Sequence, residues 1–579
     1  MVDGSSHTHD DDSTPDTGTI VTALAARAKL RLSPAEHARL SEYVLDSWDM
    51  ADRLRDVASP GHEGHRDDLP LRTAYSNLPL QPGQRDHRAS VGGGSGDLSA
   101  AAPEKVAATV LAGDLVSTAG RIAAGEFSPL DLIAAQLDRI ERYDTTVRSY
   151  ITVDRSGALE EAAALSAELV NTGPRSLLHG VPFGAKDSIP AAGMPCTYNS
   201  PLTRDWRPQR DCESIRRLRA AGAVLVGKHN LNEFGWSLPA EDDLAPPPRN
   251  PWLPEEYSVG SSSGGGAAVA GQLAMFALGT DGGGSARLPA GQHLLFGLKP
   301  GHHRAPPQGV SEGSVSEVSL LAREAEDVAA VFAALLIDPD ADGARERLRR
   351  EPAERVEYVG SSPAGLTIAV PTGYVGDVGM EPDVQHAFDA TLSAIEALGH
   401  RLVRLPATAL HILHDAVRAN FVVIAAEHFF DHEGPGKDRS RYGKSAGFYN
   451  LPGACLSAAD YLHAMRLAGL TRQEVDAVLA DADMILTPTS PVTRTSTARN
   501  PKTHRRGGNA AYTSPFNLTG HPGVSFPVGL SGEGMPIGMQ LIGRREGEFD
   551  LLRAARALAA TFDLPAFPDL DEMATAVGR

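Results

Sequence analysis

Gly260-Ser261-Ser262-Ser263-Gly264-Gly265-Gly266, then a small and apolar segment, then Gly279-Thr280-Asp281-Gly282-Gly283-Gly284-Ser285 make up the least ordinary stretch of this chain. Two glycine- and serine-rich loops thus flank one helix-strand unit. Lacking Cβ atoms, such loops let backbone N–H groups come close to a ligand. A glycine run that ends on a serine can build an oxyanion hole beside that serine's hydroxyl. Ser285 is therefore the natural nucleophile. Two other readings stand beside this one, a phosphate cradle and a flexible linker. Against the first, neither segment gives G-x-x-x-x-G-K-[ST], and no G-x-G-x-x-G follows a strand and opens a helix with a later acidic partner. Against the second, linkers are not followed by a small, apolar segment that must pack.

A serine hydroxyl needs a base. The chain's 20 histidines are scattered, and none sits in a G-x-S-x-G elbow or an equivalent setting. A lysine can serve instead, because burial beside apolar groups lowers its pKa and leaves a neutral amine able to accept a proton. Lys186, in Gly180-Val181-Pro182-Phe183-Gly184-Ala185-Lys186-Asp187, follows an apolar run and is flanked by small residues. Taken alone, it also reads as a surface residue.

Outward from these loops the chain alternates helices with short buried strands. Ser128-Pro129-Leu130-Asp131 starts a helix carrying Ile133, Leu137 and Ile140. Tyr150 to Val153 reads as a strand, Ile215 to Ala221 as a helix, and Ala223 to Val226, Met275 to Gly279 and Met484 to Thr487 as strands. The pattern is α/β, a largely buried sheet covered by helices. Residues 1–19 are acidic and polar and are expected to be a disordered tail. Within 20–82, Ser33-Pro34-Ala35-Glu36 is a helix start signal, and Leu40, Tyr43, Val44, Ser47, Ala51 and Leu54 make an apolar stripe, so a helical hairpin is expected. Residues 83–106, with Gly92-Gly93-Gly94-Ser95-Gly96, read as a linker, and 107–579 as the catalytic domain.

Bulk properties narrow the function. A formal charge of -19 opposes a phosphate-rich partner, and the short basic stretches Arg345 to Arg350 and His504 to Arg506 do not reverse it. Cys196, Cys212 and Cys455 are too few for a disulfide framework and have no metal-ligand spacing, which points to a reducing compartment. The first residues have no apolar leader, and the longest apolar stretch, Ala267 to Leu278, is short and broken. A cytoplasmic protein is expected, with no metal, no cofactor, no nucleic acid and no membrane partner.

The segments Gly180 to Ile189, Asp211 to Phe234 and Gly260 to Pro300 resemble the amidase signature family, as do Thr487-Pro488-Thr489, Tyr512 to Gly520 and Pro536 to Gln540. The likeness spans roughly residues 107 to 570. It implies a central mixed β-sheet covered by helices on both faces. It also implies a triad of a lysine, a serine after a cis peptide bond and a nucleophilic serine, which falls on Lys186, Ser261 and Ser285 at intervals of 75 and 24 residues. The implied reaction is hydrolysis of the C–N bond of a small-molecule amide. Lys186 draws a proton through Ser261 as Ser285 attacks, and the N–H groups of Gly282, Gly283 and Gly284 hold the oxyanion. The segment from Leu30 to Leu54 is similar to the small helical protein that accompanies the amidase component of tRNA-dependent amidotransferases; any amphipathic helix pair would read the same way.

The chain departs from the family pattern in places. His293-Leu294 stands where a Cys-Gly pair is usual, and Ser319-Leu320 where a Gly-Pro step is usual. These mark either a reshaped pocket wall or compensated core changes. Asp281 and Arg287 match the family and are expected to brace the loop. Ala510 replaces the acidic residue that glutamine-hydrolysing members carry three positions before the threonine at 513, and Glu427 to His432 lacks their arginine-containing pattern. Glutaminase activity is accordingly not expected. Two alternatives to hydrolysis stay open: transfer of the acyl group or of ammonia to an acceptor, and a catalytically silent scaffold. A homodimer also stays open.

Overall fold

Ser128 caps the helix Pro129–Val147 with a reciprocal capping box to Asp131, the proline occupying the first turn where no N–H is needed. That helix leads into the sheet of a computed structural model. The structure describes residues 113–577 except 238, 242, 307–312, 433–441, 443–451 and 495–507, together with positions 21, 22, 34, 37, 38, 40, 41, 106, 107 and 109. Apart from those isolated positions, the expected acidic tail, helical segment and linker lie outside the described residues.

The strands are β1 (Tyr150–Val153), β2 (Pro182–Lys186), β3 (Val224–His229), β4 (Arg249–Asn250), β5 (Leu253–Tyr257), β6 (Phe276–Asp281), β7 (Phe296–Lys299), β8 (Glu317–Ala322), β9 (Thr367–Val370), β10 (Arg401–Arg404), β11 (Met484–Pro488), β12 (Gly523–Leu530) and β13 (Pro536–Gly543). β4 and β5 form a separate two-stranded sheet among the described residues. The other strands form one 11-stranded sheet in the order β1-β3-β2-β6-β8-β7-β12-β13-β11-β9-β10. The sheet is mixed: β3, β2 and β6 run parallel, as do β11, β9 and β10, and the strands between them pair antiparallel.

Strand alternation sorts the apolar side chains onto the two faces. Leu225, Phe276, Leu278, Leu320 and Ala322 join the helices Leu115–Ala123, Glu213–Ala221, Ala325–Leu335 and Glu548–Ala559 on one face. Val224, Val226, Ala277 and Leu321 join Pro129–Val147, Arg155–Thr172 and Ser263–Ala270 on the other. Helices thus cover both faces, as the resemblance implied. Phe183 and Phe276, on adjacent strands, stack with centroids 5.0 Å apart. Fully burying one such ring is worth about 1.5–3 kcal/mol.

One expectation is corrected. The first glycine-rich segment is not a loop throughout, because the helix Ser263–Ala270 already contains Gly264, Gly265 and Gly266. A Cβ at Gly264 would collide with the main chain of Ser149 and Asn230, and one at Gly266 would lie 2.8 Å from His293. These glycines let a helix sit close against the sheet; they do not make a hinge.

The two departures from the family pattern are core changes. His293 is fully buried, bonded through Nδ1 to the Pro289 carbonyl at 2.7 Å and through Nε2 to Ser258 at 2.9 Å. Leu294 takes φ +60, a left-handed conformation in which glycine is unstrained. Ser319 and Leu320 sit buried in β8, opposite Gly279 and Leu278 of β6.

Candidate active site

β2 and β6 are parallel neighbours, so their carboxyl ends open on the same edge of the sheet, where open α/β sheets bind ligands. Lys186 is the last residue of β2 and Asp281 the last of β6. The turn Gly282, Gly283, Gly284 then delivers Ser285. Gly282, Gly283 and Ser285 are half-buried, whereas Gly284 is buried.

Lys186 is 2% exposed, and its Nζ donates to Ser261 Oγ at 2.8 Å and to Thr280 Oγ1 at 2.6 Å. The Gly260–Ser261 peptide bond is cis. A Cβ at Gly260 would strike the side chain of Asn232. Gly235, at φ +71, lies over the pair: a Cβ there would sit 3.3 Å from Ser261 Oγ and 3.5 Å from Lys186 Nζ. The structure thus brings Lys186 and Ser261 into direct contact. It ties Ser285 to them through the main chain, since Ser262 N–H donates to the Ser285 carbonyl at 3.0 Å. Among the described residues, the Ser285 hydroxyl has no side-chain partner.

The turn before Ser285 rests on a buried charge pair. Asp281 accepts from Arg287 Nη2 at 2.9 Å and Nε at 3.0 Å, and both side chains are 0% exposed. Its carboxylate also takes the N–H groups of Gly284 at 2.7 Å, Arg287 at 3.1 Å and Ala286 at 3.2 Å. Burial alone would raise the Asp281 pKa, but the Arg287 charge and these hydrogen bonds outweigh it and hold the group well below the usual carboxylate range. Arg287 continues to Asn517 Oδ1 at 2.6 Å and Gln540 Oε1 at 2.8 Å. Gln540 in turn donates to Thr487 Oγ1 at 2.8 Å and to the Tyr512 carbonyl at 2.7 Å. The remote segments that carried the family likeness therefore converge under one turn, and Asp281 and Arg287 brace it.

Gly284 departs from the expectation set for it. Its N–H is taken by Asp281, so of the three expected oxyanion donors only Gly282 and Gly283 keep N–H groups without an acceptor among the described residues. The sequence reading also passed over Thr280 and Asn420. Thr280 had a signal, being two residues before the glycine run. Asn420 had none; its Nδ2 reaches the Gly282 carbonyl at 2.9 Å across 138 positions of chain.

Comparison with known proteins gives one consistent result. The family described as Amidase matches residues 131–552. A glutamyl-tRNA(Gln) amidotransferase component of Myxococcus xanthus is 32% identical over 482 residues, covering 78% of this chain and 97% of its own length. Its counterpart of the same description in Desulforapulum autotrophicum is 31% identical, covering 77% and 96%. Among solved structures, native peptide amidase from Stenotrophomonas maltophilia superposes with a TM-score of 0.65 at 25% identity, covering 79% of this chain and 98% of its own. A structure reported to reveal, through a vestigial protein complex, the evolutionary origins of an s-triazine catabolic enzyme gives a TM-score of 0.68 at 27% identity, covering 77% and 98%.

Proposed function

This chain belongs to the amidase family, and from that premise we propose that it is an amidohydrolase, cleaving the C–N bond of a small-molecule amide through an acyl-enzyme on Ser285. The observation that carries the reading is the buried 2.8 Å contact between Lys186 Nζ and Ser261 Oγ at the carboxyl edge shared with the Ser285 turn. Lys186 acts as the base in its uncharged form. It takes the Ser261 hydroxyl proton as Ser261 takes that of Ser285, whose oxygen bonds to the amide carbon. The carbonyl oxygen gains negative charge facing the N–H groups of Gly282 and Gly283. Ser261 then hands its proton to the departing amine and recovers one from Lys186, and water releases the acyl group by the reverse proton path.

The triad and the oxyanion donors draw support from this placement and from the family. The test is a hydrolysis screen over primary, aryl and peptidyl amides, with intact-mass detection of an acyl adduct on Ser285. Failure of every amide to be cleaved, on folded protein, would count against it.

A second reading has one observation in its favour: the Myxococcus and Desulforapulum relatives are components of an amidotransferase. On that reading an amine takes the place of water in freeing the acyl group from Ser285, or water still frees it and the ammonia released in the first step passes to a partner protein. Product analysis with added hydroxylamine separates acyl transfer from hydrolysis, because an acyltransferase yields the hydroxamate in preference to the acid. Ala510, in the place of an acidic side chain, argues against glutamine as the donor.

A further inference from the structure

Three consecutive carbonyl oxygens in the turn before Ser285 are each held by a side chain from far along the chain, one from the helix Leu413–His432 and two from the segment Tyr512 to Gly520. The Asp281 carbonyl accepts from Asn517 Nδ2 at 2.7 Å, the Gly282 carbonyl from Asn420 Nδ2 at 2.9 Å, and the Gly283 carbonyl from Thr513 Oγ1 at 2.8 Å. In a trans peptide the C=O of one residue and the N–H of the next point in opposite directions. Holding these oxygens therefore fixes where the N–H groups of Gly282, Gly283 and Gly284 point. The third goes to Asp281 Oδ1, and the first two are left without an acceptor among the described residues.

Asn420 is the cleanest of the three grips. It is 0% exposed, on the helix Leu413–His432. A carbonyl oxygen can only accept, so the amide atom facing Gly282 must be nitrogen. The other end, Oδ1, is buried with no partner among the described residues. A buried acceptor left unsatisfied costs about 1–3 kcal/mol, and a leucine of similar volume would avoid that cost. Among the described residues, the side chain's one hydrogen bond is the one to the turn.

We propose that Asn420 and Thr513 are positioning residues for the oxyanion site: Asn420, gripping the Gly282 carbonyl, turns the Gly283 N–H, beside that of Gly282, toward the charge that develops over Ser285, and Thr513, gripping the Gly283 carbonyl, keeps the next peptide, whose Gly284 N–H goes to Asp281, from swinging that donor away. The inference rests on the Ser285 acyl-enzyme reading. Asn517 completes the clamp, but it also binds Arg287 and Asp281, so its removal would disturb the buried charge pair as well.

A fluorophosphonate tests the clamp without a known substrate. The Ser285 oxygen forms a bond to phosphorus, the P–F bond breaks and fluoride leaves. The hydroxyl proton passes to the base, and the phosphoryl oxygen occupies the oxyanion position. The limiting labelling rate, kinact, should fall about 10-fold to 100-fold in Asn420→Leu and in Thr513→Val, below the roughly 100-fold to 1000-fold seen when a donor itself is removed. The half-saturating probe concentration should move by less than about 3-fold and the melting temperature by only a few degrees. Thr513→Ser, which restores the hydroxyl, should recover most of the Thr513→Val loss; a merely structural role for the methyl group would give no such rescue. Native protein labelled on Ser285, with kinact unchanged in both variants or no rescue by serine, overturns the clamp alone. Native protein that is folded and unlabelled overturns the Ser285 reading and the clamp with it.

Discussion

Ser262 donates its main-chain N–H to the carbonyl oxygen of Ser285 at 3.0 Å, and its hydroxyl donates to the Thr280 carbonyl at 3.2 Å. The residue after Ser261 thus staples the two serine loops together. The spacing between the Ser261 and Ser285 hydroxyls is set by main chain, and no hydrogen bond joins them directly among the described residues. Catalytic hydrogen bonds commonly tighten only when substrate arrives, and this staple leaves the hydroxyls free to do so while keeping their loops in register.

Ser285→Ala should abolish both amide turnover and fluorophosphonate labelling. Lys186→Ala should lower turnover by roughly 1000-fold or more, since the serines then have no base. Circular dichroism should show both variants folded, and full activity in either would defeat the triad.

Gly235→Ala should lower kcat by about 10-fold or more while changing stability by only about 1 kcal/mol, the ordinary cost of a left-handed alanine. The added methyl would lie against Ser261 Oγ and Lys186 Nζ. A kcat within twofold of native, measured on the best substrate from the hydrolysis screen, would show that this turn does not constrain the pair.

Asp281→Asn should cost about 3–5 kcal/mol in denaturant unfolding, because Arg287 is left buried without its counter-charge. The native carboxylate has a lowered pKa. Its contribution is therefore fully present above the unfolded value, about 4, and is lost as pH falls below that. The variant should lose this part of the acid limb, and an unaltered limb would argue that other carboxylates dominate it.

Burial drives the His293 pKa down to about 4, so the ring is neutral in the fold. The Pro289 carbonyl requires a proton on Nδ1, which leaves Nε2 to accept from Ser258. Between about pH 6.5 and 4 the unfolded chain binds a proton that the folded chain refuses, so stability drops by about 3 kcal/mol from this group as the pH is lowered across that interval. His293→Gln should flatten the slope of melting temperature against pH in that interval. An unchanged slope would mean that the ring is protonated in place.

The sequence yielded the parts of this molecule that repeat locally. Alternation marked β1 at its observed limits, and β3 and β6 within a few residues. The capping box at Ser128 located a helix start because both of its partners lie three positions apart. The glycine run marked the turn that leads to Ser285 for the same reason, since a turn and the residue after it are contiguous. Lys186 was ambiguous without the family, because burial is a property of the sheet around it and not of its neighbours in sequence. Gly264 to Gly266 misled, since glycine signals both slack chain and tight packing, and only the helix partner decides between them. Asn420 was illegible: nothing near it shows that its amide reaches a carbonyl on a distant loop.

That the turn's carbonyl oxygens are held by residues as late as 513 and 517 carries a consequence for synthesis. A nascent chain exposes Ser285 long before Asn517, 236 positions from its partner Asp281, has left the ribosome. Until then the turn before it lacks the side chains of Thr513 and Asn517 that hold its carbonyl oxygens. If Ser285 is the nucleophile proposed above, fragments ending before this region should not be labelled by a fluorophosphonate.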